Sequence, residues 1–127
     1  MKKHYEILYS KAISDIKVAE VLIRSFKNNE LVEEIGFHIE QAVEKLLKTL
    51  LSLNKIDFPK IHDIEKLISL SKEHNIKLPD YIDEFEALTM FAVDFRYDFI
   101  ENESVDIKYY LDRVKEFIEW VRLNYII

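Results

Sequence analysis

The sequence is poor in the residues that cross-links, turns and hairpins require. Among its 127 residues there are no cysteines, one glycine and two prolines. Without cysteine the chain forms neither a disulfide nor a thiolate metal site, which suits a reducing compartment. Tight hairpins depend on glycine for positive φ angles. The scarcity of glycine therefore favours long helices joined by a few short loops.

Long apolar runs are also missing. No stretch approaches the roughly 18 apolar residues that a membrane-spanning helix needs, and His4, Glu6 and Ser10 interrupt any N-terminal signal segment. We therefore expect a cytoplasmic protein without membrane contact. The net charge of -6 argues against a protein that coats nucleic acid, because such proteins carry a dominant basic surface. It still allows a local basic pocket.

Apolar residues recur with a helical period along most of the chain. Helices are predicted over residues 5–26, 33–53 and 64–74, over a segment that opens at Leu78-Pro79-Asp80 and ends at Arg96, and from Ser104 or Asp106 onward. His62 or Asp63 would cap the third of them. Because short connections favour antiparallel neighbours, we expect one domain over residues 1–127. Its predicted fold is all-α, an antiparallel up-and-down four-helix bundle with an extra short helix.

The last predicted helix has a second apolar face opposite its core stripe. That face is rich in aromatic residues and consists of Val105, Tyr109, Trp120, Leu123 and Ile127. Large aromatic side chains on an outward face are enriched at protein interfaces. We therefore expect an isologous homodimer that uses Tyr109, Trp120 and Leu123. The alternative is that other helices of the same bundle cover this face.

The second predicted helix is the most informative segment. One side is apolar and must face the core. The other side carries one aromatic and several polar side chains: Phe37, His38, Gln41, Glu44, Lys45 and Lys48. A core-forming helix with these polar groups is a candidate ligand site. For Glu44 and Lys48, ordinary ion pairs on a solvated face are a sufficient alternative explanation.

Two further segments carry polar groups of interest. His62 lies just before the third predicted helix, and Arg96 falls on the inward side of the fourth. A buried arginine must be paired or face a cavity, and Glu44, Asp63 or Asp98 would be its partner. The two histidines His38 and His62 lack the fixed spacing of metal ligands. We therefore assign no metal and no cofactor.

These segments resemble the motifs of HEPN domains. Phe37-His38, Gln41-Ala42, Glu44-Lys45 and Lys48 resemble the signature helix "FHxQQAxEKxLK" of that family. Pro59-Lys60 with His62-Asp63 resembles its "PKTHDL" segment, and Arg96-Tyr97 resembles its "RYP". The resemblance implies a helical bundle that is usually a homodimer. It also implies a gene often encoded beside a minimal nucleotidyltransferase, in pairs that can act as toxin–antitoxin modules.

Some HEPN domains are metal-independent ribonucleases in which four to six residues separate an arginine from a histidine. After Arg96 those positions hold Glu101, Asn102 and Glu103. A metal-free ribonuclease needs a general acid or base, usually histidine, so we assign no catalytic residue. Glu40 in place of the family's first glutamine adds negative charge near the supposed site.

The favoured interpretation is a dimeric, non-catalytic module that binds a nucleotide, a minimal nucleotidyltransferase, or both. The residues expected to bind the ligand are His38, Gln41, Lys45, Lys48, His62, Arg96 and Tyr97. One alternative is a metal-independent endoribonuclease toxin with a degenerate Arg…His motif, in which His38 or His62 replaces the missing histidine. The other is a purely structural bundle whose polar residues serve only as caps and ion pairs.

Overall fold

The computed structural model describes residues 3–25, 31–91 and 106–126. Within these ranges the chain forms α1 (His4–Ser25), α2 (Val32–Leu53), α3 (Ile64–Glu73) and α4 (Ile107–Val121). A 3₁₀ helix (Ile82–Phe91) lies between α3 and α4, and a π-helical turn (Arg122–Ile126) follows α4. No strand occurs in these ranges. The predicted all-α bundle is confirmed.

Helix α2 is the centre of the bundle. It packs most extensively on α1 and also contacts α3, the 3₁₀ helix and α4. Its fully buried aliphatic residues include Ile39, Val43, Leu46, Leu47 and Leu50, as the sequence predicts. Burying each such side chain contributes roughly 1.5–3 kcal/mol. This apolar face fixes the rotation of α2 about its axis. The polar side chains of α2 are thereby directed toward α1 and the segment before α3.

Side-chain caps define two of the helix starts. The Asp63 carboxylate accepts a hydrogen bond from the Lys66 backbone N–H at 3.2 Å, and Asp106 accepts one from the Tyr109 backbone N–H at 3.0 Å. Of the two predicted caps for α3, the structure uses Asp63 and leaves His62 available for other contacts. Asp106 is the N-cap of α4, whereas Ser104 lies outside the described residues.

The fourth predicted helix differs from the expectation in its type. The chain forms a 3₁₀ helix over Ile82–Phe91, not an α-helix, and residues 92–96 lie outside the described ranges. Buried side chains recur here at every third position: Ile82, Phe85, Leu88 and Phe91. A 3₁₀ helix has three residues per turn, so this spacing aligns all four toward the core.

The single glycine lies where the 3₁₀ helix meets α2. Gly36 is buried on α2, and a Cβ added to it would lie 2.5 Å from Cγ of the Phe91 ring. Only a residue without a side chain lets that ring pack against the helix. Across the described ranges, none of the helices is long and apolar enough to cross a membrane.

The predicted interface residues of the last helix are placed differently from one another. Leu123 is 58% exposed. Tyr109 is partly exposed, but its hydroxyl donates to Glu84 Oε1 at 2.5 Å. Trp120 is half-buried beside Phe117. Contacts within the chain therefore cover part of this face, and Leu123 is the most exposed of these three residues.

Candidate functional site

The polar residues of α2 form two hydrogen-bonded clusters, one with a residue of α1 and one with a residue of the segment before α3. We call this set the polar row: Asp15, His38, Glu40, Gln41, Glu44, Lys45, Lys48 and His62. Helix α1 supplies the first residue, the segment before α3 supplies the last, and α2 supplies the remainder. Five of the seven predicted ligand-binding residues thus lie together.

Asp15 organises one end of the polar row. Its Oδ1 accepts a hydrogen bond from His38 Nδ1 at 2.9 Å, and its Oδ2 accepts one from Lys45 Nζ at 2.5 Å. The Asp15 side chain is only 12% exposed. Sequence reasoning missed this residue. Its position in the sequence could have identified it, because Asp15 directly precedes the buried residue Ile16 on α1. A carboxylate at such a position needs a partner to offset its desolvation.

Glu44 organises the other end. Its Oε1 accepts hydrogen bonds from His62 Nδ1 at 2.7 Å and from Lys48 Nζ at 3.0 Å. Its Oε2 accepts one from Gln41 Nε2 at 3.3 Å. The carboxylate is 3% exposed.

The interpretation of Glu44 and Lys48 as a pair on a solvated face is therefore corrected. The pair exists, but the Lys48 side chain is only 11% exposed. His62 reaches Glu44 from 18 residues further along the chain. A buried carboxylate needs such multiple partners, because desolvation otherwise outweighs the attraction of a single cation.

Glu40 is the third carboxylate and has the weakest pairing. It is 1% exposed, and its Oε1 accepts a hydrogen bond from Gln41 Nε2 at 2.9 Å. Burial raises the pKa of Glu40 to about 7, with smaller contributions from the charges of Glu44 and Asp15. Part of the Glu40 population is therefore protonated at neutral pH, which reduces the negative charge at the centre of the polar row.

The polar row presents nitrogen donors to solvent and holds them in place with carboxylates. The His62 side chain is 74% exposed, whereas His38 and Lys45 are 29% and 25% exposed. Fixed N–H donors of this kind suit a phosphate or carboxylate group. Within the described ranges, no cluster of three or more metal-ligating side chains is placed to hold an ion.

Two predicted site residues, Arg96 and Tyr97, lie outside the described residues. The expected pairing of Arg96 with Glu44, Asp63 or Asp98 stays a prediction. Phe37, on the same side of α2, packs edge-on against the His38 ring, with ring centres 5.5 Å apart.

Comparison with protein families finds one match over nearly the whole chain. The model described as "HEPN domain" matches residues 5–124. The matched range includes every residue of the polar row. Comparisons with curated proteins and with solved structures give no significant match.

Proposed function

The chain belongs to the HEPN domain family, and on that premise we propose that it is a homodimeric, non-catalytic binding module. Its ligand is the phosphate portion of a nucleotide, and its protein partner is a minimal nucleotidyltransferase, in a pair of the toxin–antitoxin kind. The polar row is the observation that carries this proposal, because it concentrates fixed cationic and imidazole donors on one face of an acidic protein.

The ion pairs within the polar row support a binding mode in which a phosphate replaces a carboxylate as the hydrogen-bond acceptor. Asp15 and Glu44 hold the donor side chains while the site is empty, and an incoming phosphate would compete with those carboxylates for the same N–H groups. His38, Lys45 and His62 are the accessible donors, since Lys48 is largely buried. Such competition predicts moderate affinity that falls as the salt concentration rises.

Calorimetric titration with ATP tests the nucleotide half of the proposal. We expect Lys45→Gln to weaken binding roughly fivefold to tenfold, the loss of one partly exposed charge-assisted hydrogen bond. Lys108→Gln is the matched control, because Lys108 also pairs with a carboxylate, Asp112, but lies on α4. Equal affinities for the two variants would contradict a phosphate site on the polar row.

Co-purification tests the partner half. The tagged chain is expressed with a minimal nucleotidyltransferase encoded next to it, and we expect the two to elute together in gel filtration. Separate elution, combined with no heat on ATP titration, would leave the purely structural interpretation as the better one.

A metal-independent ribonuclease is the second candidate, and one observation favours it. The His62 imidazole is exposed while Glu44 holds its Nδ1 at 2.7 Å, an arrangement that orients a general base. Incubation of RNA with the purified protein in EDTA distinguishes the two functions. Our proposal expects intact RNA. Cleavage that is lost in both His62→Ala and Arg96→Ala would establish the ribonuclease, whereas cleavage unchanged in Arg96→Ala indicates contamination.

A further inference from the structure

A small open cavity lies beyond the end of the polar row, between the start of α1 and the chain that follows α2. Its volume is about 280 Å³, near the lower end of the range of roughly 300–1,000 Å³ for small-molecule sites. The lining residues are His4, Ser52, Lys55, Ile56, Asp57 and Phe58. The function described above uses none of them.

Two aromatic rings with nearly parallel planes belong to residues that line this cavity. The imidazole of His4 and the ring of Phe58 are nearly parallel, at 14°, with centres 6.4 Å apart. A planar ring placed between two others needs about 7 Å, twice the carbon–carbon contact distance of about 3.5 Å. Both rings line the open volume. The observed separation of the ring centres is shorter than the required spacing, so a base enters only when the exposed His4 side chain, on the first residue of α1, rotates away from Phe58.

Polar groups surround this pair of rings. The lining residues include Ser52, Lys55 and Asp57, whose side chains carry a hydroxyl, an ammonium and a carboxylate. An aspartate accepts hydrogen bonds from ring N–H groups and exocyclic amines, which are the donors on the edges of adenine and guanine. A ring held between two aromatic faces beside such an acceptor is the arrangement that recognises a nucleobase.

Lys48 joins the cavity to the polar row. Its Nζ is 3.0 Å from Glu44 Oε1 and 6.0 Å from the centre of the Phe58 ring. Ser52 follows Lys48 by one helical turn, so both project from the same side of α2 at about 6 Å separation along the axis. A base in the cavity would therefore direct its phosphates along α2 toward His62 and the rest of the polar row.

From this geometry we propose that His4 and Phe58 clamp a purine base, with Asp57 accepting from its edge. The inference rests on the proposed nucleotide function and adds the place and class of the base. The cavity selects purines over uracil because a purine has the larger stacking surface, and because adenine and guanine carry an amine that uracil lacks.

Calorimetric titration of the full chain with ATP, UTP and inorganic tripolyphosphate tests the clamp. We expect ATP to bind roughly tenfold more tightly than tripolyphosphate, the effect of stacking one base. His4→Ala and Phe58→Leu should each reduce the ATP affinity toward that of tripolyphosphate. His74→Ala is the matched control, because His74 is exposed at the end of α3 and bonds to the Leu70 carbonyl. Thermal melting monitored by circular dichroism verifies that each variant is folded.

The outcomes separate this inference from the proposed function. If tripolyphosphate binds as tightly as ATP, or if His4→Ala leaves the ATP affinity unchanged, the clamp is wrong. The phosphate site still stands in that case, provided that Lys45→Gln weakens both ligands. Equal affinities for ATP and UTP would overturn the purine assignment. If neither ATP nor tripolyphosphate binds, both the clamp and the phosphate site are wrong.

Discussion

At the level of single residues, three carboxylates with unequal pairing govern the polar row. Among the described residues, Asp15 has two cationic or imidazole partners and Glu44 has two such partners and Gln41, whereas Glu40 accepts a hydrogen bond from the amide of Gln41 alone. A buried carboxylate without a cation is unstable in its charged form. The stability of the bundle should therefore depend on pH through Glu40.

Glu40→Gln should stabilise the protein at pH 8 and change little near pH 4.5. The folded pKa of Glu40, about 7, lies above its ordinary value of 4.5, so the native state binds the extra proton between these values. Stability of the unchanged protein then falls as pH rises through that window. We expect Glu40→Gln to gain roughly 1–3 kcal/mol at pH 8, measured by urea unfolding. The exposed Glu34→Gln is the control, and a gain that does not depend on pH would contradict the assignment.

Asp15→Asn should have opposite effects on stability and on anion binding. It leaves the half-buried Lys45 and His38 without a counter-charge, which costs roughly 1–3 kcal/mol of unfolding free energy. The same change frees Lys45 for a ligand and removes a repelling charge, so ATP affinity should rise a few-fold, by about 1 kcal/mol.

Urea unfolding and calorimetry on the same Asp15→Asn sample measure the two effects. Asp112→Asn is the control, because Asp112 pairs with Lys108 on an exposed part of α4. A loss of stability without any gain in affinity would instead indicate that Asp15 serves only to hold α1 against α2.

At the level of elements, local sequence predicted the helices well but did not predict one helix type. The predicted ranges 33–53 and 64–74 agree closely with Val32–Leu53 and Ile64–Glu73, because amphipathic periodicity and the Asp63 cap are local signals. The 3₁₀ helix was missed. The three-residue spacing of its apolar side chains indicates the helix type only when α2 is known to supply the surface that buries them.

The same limit applied to the candidate site. The sequence placed His38, Gln41 and Lys45 on one side of α2. It did not reveal that Asp15 would approach from α1, or that His62 would reach the buried carboxylate of Glu44 from the segment before α3. Whether a polar residue at the edge of an apolar face is exposed depends on segments that are distant in the chain. Such contacts leave little trace in helical periodicity.

Gly36→Ala should destabilise the contact between α2 and the 3₁₀ helix. In an ordinary helix interior this change stabilises by about 1 kcal/mol. Here the new Cβ would overlap the buried ring of Phe91, and overpacking of this kind costs roughly 1–3 kcal/mol. We expect a net loss in urea unfolding. Phe91→Leu should relieve it, so that a double-mutant cycle shows a favourable coupling of about 1 kcal/mol or more.

At the level of the whole molecule, the described residues form two exposed apolar surfaces that are candidates for the interface of the proposed homodimer. The first is the end of the last helix, where Leu123 and Ile126 are 58% and 37% exposed. The second was not predicted and lies on α1, where Ile7, Val18 and Val21 are 40%, 41% and 51% exposed. On this face of α1, Ser10, Lys11 and Ser14 lie between Ile7 and Val18. Leu123 and Ile126, in contrast, adjoin the half-buried Tyr125. Aromatic content favours the first surface.

Sedimentation velocity distinguishes the two surfaces. We expect the unchanged chain to sediment as a dimer at high micromolar concentration and Leu123→Glu to sediment as a monomer, because an unpaired carboxylate buried at an interface costs several kcal/mol. Val18→Glu is the matched control, an aliphatic-to-glutamate change on the α1 surface, and it should remain dimeric. Since both side chains are exposed, neither change should unfold the bundle. The reverse pattern would move the interface to α1, and a monomeric unchanged chain would reject the dimer itself.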